Sequence, residues 1–360
     1  MEPIVIARAP GHISFGWGSS LPGADAGPDE RLTISAAINY YAYTIVSPCH
    51  ADDVRITVAG CQTLPWYVPD DFPWGAELAL PKAILRLFGT RGGLSIFLST
   101  QAPLGIGLGL SGSLAVSMIK ALAFASGLDL DPQEVADLAC YVLAEASGSH
   151  RDDARQYAAA CGGLTSIDVS HDKVRVDPLR ITPDVQQSLE KHLMLFGNLS
   201  FWRPSSDAVR DAEVAQVGER FAAVSPESVR GAKRRVRAAL ECGDWETLGE
   251  LLQRGWIGQR CPVNAGQDDP FSQSLAIAMQ SGAFGGQGTR VDSGLLVLLC
   301  PEARQSAVTE ALTAHGLQRL PLALEPEGVQ VLEAVPRPRL HSIAGLREPA
   351  LFGSQLLQPR

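Results

Sequence analysis

Short apolar stretches that read as strands run over Ile4 to Ala9, Ala36 to Val46, Val54 to Val58 and Leu94 to Ser99, the last alternating apolar and polar as a half-buried strand does. Leu114 to Ala125 is an uninterrupted helix former. A second helix is predicted from about Pro132 to Ala146, with Asp131 as N-cap, proline in the first turn and Glu134 placed for a reciprocal cap. Ile167, Val169, Val174 and Val176 alternate as a hairpin does. The second half predicts a strand at His192 to Phe196 and helices around Ser228 to Glu241, Trp245 to Trp256 and Pro270 to Ser281. A strand at Leu295 to Cys300, a helix at Pro301 to His315 and a strand from about Val329 to Val335 complete it. That order describes an α+β layer, not a parallel Rossmann repeat.

With 360 residues, 46% of them hydrophobic and 19% charged, the chain has ordinary globular composition and a length that favours two domains. The junction falls near residues 178 to 190, giving units at 1–180 and 181–340, with 341–360 as a tail rich in Pro, Arg and Leu. A net charge of −9 argues against nucleic acid or an anionic membrane as partner, so any phosphate site is local. Arg230, Lys233, Arg234, Arg235 and Arg237 crowd one helix and read as a solvated face. The seven cysteines form no Cys-x-x-Cys pair or zinc cluster and read as small, mostly buried thiols. Neither a signal peptide nor an apolar run of membrane length is visible, which makes the cytoplasm the default expectation.

The stretch that changes this picture is Pro103-Leu-Gly-Ile-Gly-Leu-Gly-Leu-Ser-Gly-Ser-Leu-Ala-Val116, which joins a strand to a helix. Gly105, Gly107 and Gly109 remove side chains where backbone would approach a ligand, and the helix that follows offers unpaired N–H groups to an anion. Tight packing alone also produces such turns. The Walker Lys-Ser/Thr ending is missing, and the glycine spacing is not that of a dinucleotide fingerprint.

The string is similar to the second motif of the GHMP kinases (galactokinase, homoserine, mevalonate and phosphomevalonate kinases), roughly Pro-x-Gly-x-Gly-Leu-Gly-Ser-Ser-x-Ala. Arg8-Ala-Pro-Gly-His-Ile-Ser-Phe-Gly-Trp-Gly-Ser-Ser-Leu-Pro22, Ile34 to Tyr43, Gln156-Tyr-Ala-Ala-Ala-Cys-Gly-Gly163, Arg203-Pro-Ser-Ser206 and Gly282-Ala-Phe-Gly-Gly286 resemble, in order, segments of the branch with heptose-7-phosphate kinases and fucokinase-like enzymes. The resemblance spans residues 4 to 335. It implies a two-domain GHMP kinase fold: an N-terminal ribosomal-protein-like α/β domain with the phosphate loop, and a C-terminal ferredoxin-like α+β domain.

It also implies ATP and Mg2+ as cofactors and a small-molecule acceptor, a sugar, sugar phosphate or polyol, and leaves a homodimer open. Gly105, Gly107, Leu108, Gly109, Ser111, Gly112 and Ser113 fall on the nucleotide loop, and Ser111 with Glu145 on the magnesium ligands. Ser113 suits a helix cap equally well, and Glu145 an exposed helical position. His12, Trp17, Ser20, Arg203, Ser205, Arg290 and Asp292 fall on substrate-side segments. The acceptor half departs from the pattern. Heptose kinases read Gly-Lys-Gln-Asp-Gln-Tyr-Ala-Ala with the aspartate as presumed base; here Arg155 takes its place, and arginine accepts no proton near neutral pH. Asp152 and Asp153 lie just upstream as substitutes, and His150 is a further candidate base. The Gly-Gly-Gly-Thr-Asp element has become Gly16-Trp-Gly-Ser-Ser20, the glycine run has become Gly288-Thr-Arg-Val-Asp-Ser-Gly294, and Gln259 stands where the branch has lysine. Three readings result: a sugar or sugar-phosphate kinase with an unorthodox base, a GHMP-fold enzyme turned to non-kinase chemistry on a phosphorylated or carbohydrate-like ligand, and a pseudokinase.

Overall fold

The computed structural model describes residues 4–15, 32–49, 54–59, 64–66, 79–90, 92–104, 106–147, 155–170, 173–198, 226–258, 270–289 and 295–335. The chain begins with two long antiparallel strands, β1 (Ile4–Phe15) and β2 (Leu32–Pro48). After β3 (Val54–Val58), β4 (Leu64–Trp66) and helix α1 (Ala79–Leu87), strand β5 (Leu94–Thr100) pairs with the C-terminal half of β2 and runs parallel to β3. Helices α2 (Leu110–Ala125), α3 (Pro132–Ser147) and α4 (Arg155–Cys161) follow, then the hairpin β6 (Leu164–Ser170) and β7 (Lys173–Pro178). Strand β6 takes the N-terminal half of β2, so β2 serves two partners along one edge.

Helix α5 (Pro183–His192) leads through β8 (Leu193–Gly197) to α6 (Pro226–Cys242), α7 (Trp245–Gly258) and α8 (Pro270–Gln280). Then come β9 (Gly285–Gly288), β10 (Leu296–Leu299), a 3-10 turn at Glu302–Arg304, α9 (Gln305–Ala314), β11 (Gln318–Leu320) and β12 (Gln330–Val335). Among the described residues the first sheet runs β12-β1-β2-β5-β3-β4, with β6 and β7 branching from β2, and the second runs β11-β8-β10-β9. The last strand therefore returns to the first sheet, where Ile4 lies opposite Val335.

One irregularity decides what faces the helices. Between β1 and β2, Pro10 lies opposite Tyr41 but Gly11 opposite Ile38, so two extra residues of β2 form a bulge, and the two stretches on either side of it face different cores. Before the bulge Val5, Ala7 and Ala9 pack on α2, α3 and α4; beyond it Ile13, Phe15, Ile34 and Ile38 turn away, toward β8, β10, α6 and α7. The helix side beyond the bulge is left to His12, Ser14, Thr33 and Ser35. Helix α2 is buried along nearly its whole circumference, as a central helix must be. The second sheet turns Leu195 and Val297 toward that shared core and Phe196 and Leu298 toward α8 and α9.

The expected cap of α3 forms: the Asp131 amide donates to Glu134 Oε2 and the Glu134 amide to Asp131 Oδ1, each at 2.8 Å. Two expectations need correction. Lys233 is buried at 7% exposure, because its place on α6 turns inward with Val236 and Leu240, while Arg234 and Arg235 are exposed. Of the five cysteines described, none in a disulfide, Cys140 and Cys300 are buried, Cys49 and Cys161 intermediate and Cys242 exposed. Among the described residues no helix is long and apolar enough to cross a membrane. The expected tail at 341–360 lies outside the described residues.

Candidate functional site

From β5 the chain crosses back over β1: the Gln101 amide donates to Tyr41 O and the His12 amide to Leu108 O, both at 2.9 Å. Gly107 and Gly109 hold φ of 85° and 68°, the left-handed region that favours glycine. Neither has room for a side chain. A Cβ on Gly107 would lie 2.6 Å from Thr289 Cβ, and one on Gly109 would lie 2.0 Å from His12 Cε1. Thr289 is built in from the second sheet, donating its hydroxyl to Ile106 O at 2.6 Å and accepting from the Leu295 amide at 2.8 Å. Helix α2 then starts at Leu110, and Gly109, its N-cap, supplies no side-chain acceptor. A tight, glycine-shaped turn thus delivers the positive end of a buried helix without a side-chain cap, the arrangement that suits phosphate oxygens.

The two serines of this turn do different things. Ser111 lies half-buried in the first turn of α2. Ser113 is fully buried and donates its hydroxyl to Pro10 O at 2.7 Å, with Gly109 O at 3.2 Å, so this hydroxyl ties α2 to β1. Leu108 is buried, with its carbonyl held by His12. Gly112 faces α4, where an added Cβ would meet Gln156 Cγ at an ordinary 3.8 Å. His12 is 2% exposed and packs its ring against Gly109. Arg155 opens α4 directly before Gln156, which reaches Gly112, and holds a fixed positive charge there. Glu145 falls in the last turn of α3, its side chain outside the described residues. Gly105, Trp17, Ser20, His150, Asp152, Asp153, Arg203, Ser205, Gln259, Arg290 and Asp292 also lie outside them. Among the described residues no group of three His, Cys, Asp or Glu could hold a metal. Ser111 places a half-buried hydroxyl in the first turn of α2, one oxygen of the kind that magnesium takes beside phosphate and water.

The structure adds residues that motif reading missed. Ser14, Ser35 and Thr165 are successive partners across β1, β2 and β6 and form a hydroxyl row on the helix side, with Ser14 Oγ and Ser35 Oγ 3.3 Å apart. Thr33, two residues before Ser35, lies on the same side of β2. Gln287 of β9 donates to Ser14 O at 2.5 Å, bringing the second sheet to the row's edge. Gln156 closes the space from α4 and is 3% exposed. Its neighbour Tyr157 donates to Asp137 on α3, which fixes α4; burial drives the Tyr157 phenol far above its ordinary range and also raises the Asp137 carboxyl. The available signal was polar residues at period two, Thr33 and Ser35, inside a strand otherwise apolar on that stretch.

Residues 78–163 match the GHMP kinases N-terminal domain. The chain is 28% identical over 202 residues to the D-glycero-alpha-D-manno-heptose 7-phosphate kinase of Campylobacter jejuni, a match covering 56% of this chain and 59% of that enzyme's length. It is 25% identical over 361 residues to the mevalonate kinase of Thermococcus gammatolerans, covering 92% of this chain and 99% of that one. A solved D-glycero-D-manno-heptose 1-phosphate kinase from Bacteroides thetaiotaomicron superposes with a TM-score of 0.70 at 21% identity, over 91% of this chain and 99% of its own.

Proposed function

We propose that this chain, which has a GHMP kinase N-terminal domain and the two-domain α+β fold of the GHMP kinases, transfers the γ-phosphate of ATP to a hydroxyl of a sugar or sugar phosphate. The observation that carries the reading is the uncapped start of α2 behind two left-handed glycines, opening on a buried face lined by hydroxyls. Phosphoryl transfer asks the protein mainly for position and charge, and both are provided locally in a chain whose net charge is negative.

In this reading the backbone from Gly107 to Gly112 would hold the triphosphate, and Ser111 with Glu145 would hold magnesium. ATP supplies the phosphoryl group. His12, pressed on Gly109, keeps the turn rigid and shields it from water. Arg155 would attract the phosphate of the acceptor or the charge that develops in transfer. Asp152 and Asp153, immediately before α4, supply the carboxylate that would take the acceptor proton. Both nucleotide and acceptor would be held mainly by residues of the unit 1–180, with Thr289 and Gln287 of the second sheet reaching the edge of the site.

Arginine at the base position favours a second reading, non-kinase chemistry on a phosphorylated ligand, and one assay separates the two. ADP release is followed with MgATP and a panel of heptoses, heptose phosphates and hexoses, beside calorimetric titration with a non-hydrolysable ATP analogue. The kinase reading expects micromolar analogue binding and acceptor-dependent ADP, lost in Asp153→Asn or Asp152→Asn with binding retained. Absence of analogue binding would overturn it.

A further inference from the structure

Three buried polar side chains around the α2 turn have no hydrogen-bond partner: Gln156 at Oε1, Thr33 at Oγ1 and Thr165 at Oγ1. Their residues are 3%, 4% and 4% exposed. A buried acceptor or hydroxyl left unpaired costs free energy, and folded proteins keep few of them. These three share one region. Thr165 stands opposite Ser35, and Thr33 lies two residues from Ser35 on the same side of β2, the side of His12 and Ser14. Gln156 enters from α4, beside Gly112 in the first turn of α2. Elsewhere in this part of the sheet, buried hydroxyls are satisfied internally: Thr44 pairs with Ser117 at 2.9 Å, and Ser113 donates to Pro10 O. These three unpaired groups therefore lie where the turn before α2 meets the sheet.

We infer that Thr33, Thr165 and Gln156 form the specificity subsite of the acceptor, one that reads at least two neighbouring hydroxyls of an uncharged polyol segment; this rests on the kinase reading above. The chemistry of the donor set decides the class. Each hydroxyl can donate or accept, and an amide offers an acceptor or, turned over, a donor, so the three can complement ligand hydroxyls of either polarity. None carries charge. A carboxylate placed against them would be desolvated without a cation, and a methylene in place of a ligand hydroxyl would leave the protein groups unpaired. The subsite thus selects sugars and reduced sugars over carboxylate-bearing acceptors such as mevalonate, and over deoxy sugars. An acceptor phosphate would need a cation that this donor set does not hold.

The test uses shape-matched apolar variants, Thr33→Val, Thr165→Val and Gln156→Met, in the full chain. Thermal melting is recorded without ligand and with heptose 7-phosphate, its monodeoxy analogues, mannose or mevalonate, and binding of the ATP analogue is titrated in parallel. The expected result is that the three variants melt no lower than wild type without ligand, and that polyol affinity falls at least tenfold while analogue affinity changes less than twofold. Mevalonate produces no shift, and removal of a contacted hydroxyl costs wild type at least tenfold but the matching variant much less. Variants that melt several degrees lower and keep polyol affinity would overturn the subsite in favour of a structural role, as would mevalonate binding equal to heptose. Analogue binding with no polyol binding overturns the subsite alone; polyol binding with no analogue binding overturns the kinase reading and leaves the subsite standing.

Discussion

Ser113 and Ser111 sit two residues apart on one helical turn, and their alanine variants separate holding the fold from holding a ligand. Ser113→Ala removes the donor that reaches Pro10 O at 2.7 Å in a fully buried position. Leaving a buried acceptor without its donor costs about 1–3 kcal/mol. The better helix propensity of alanine offsets about 0.5 kcal/mol of that. The net loss is about 1.5 kcal/mol, and at about 2–4 °C per kcal/mol for a large domain the melting temperature falls about 3–6 °C. Ser111→Ala touches a half-exposed hydroxyl and stays within about 0.5 kcal/mol of wild type. The binding assay inverts this order: with magnesium present, Ser111→Ala weakens the ATP analogue at least tenfold, whereas Ser113→Ala, measured well below its melting temperature, weakens it less than threefold. Scanning fluorimetry without ligand and calorimetric titration supply the two readings. If Ser113→Ala melts within 1 °C of wild type yet loses the analogue, the hydroxyl serves the ligand and the assignment of its bond to the fold is wrong.

Two further outcomes follow from the same geometry. Gly109→Ala meets both a left-handed φ of 68° and the His12 ring, so analogue affinity falls at least tenfold and stability by about 1–2 kcal/mol from backbone strain alone. Adding His12→Ala restores part of the stability, and strictly additive losses in that double-mutant cycle would refute the contact. Tyr41 donates to Glu325, and its phenol is pushed up to about 12, first by burial and then by that carboxylate. A pKa raised in the folded state gives stability that is complete below the unfolded value of about 10 and is lost as pH climbs toward 12. The melting advantage of wild type over Tyr41→Phe is therefore constant up to about pH 9.5 and shrinks between pH 10 and 12. An unchanged difference across that window would show that the pairing does not form.

What could be read in advance followed the range over which each element is determined. Helices α2 and α3 are written in local composition, and the Asp131–Glu134 cap was legible to the residue because it closes within one turn. Helix α4 was missed: seven residues are too few to persist alone, and it is held by Tyr157 reaching Asp137 on another helix. Strand β9, Gly285-Gly-Gln-Gly288, has no side-chain pattern to read and exists because β10 pairs with it. The site divides likewise. The turn before α2 announces itself in alternate glycines, while the row Ser14, Ser35, Thr165 depends on a register set by the bulge opposite Pro10 and Gly11, which no single segment encodes.

The strand that closes the first sheet is also the last one described. Arg8 on β1 donates to Gln330 on β12, a partner translated 322 residues later, and four further residue pairs between these strands wait for the same event. Throughout synthesis, then, the nascent chain presents a naked β1 edge able to recruit any other extended segment, its own or a neighbour's. The glycine turn that opens α2 hangs from the same strand through the His12 amide and the Ser113 hydroxyl, in the stretch of β1 that pairs with β2. One strand is thus both the anchor of the turn that opens α2 and the seat of the pairing that forms latest in synthesis among the described strands.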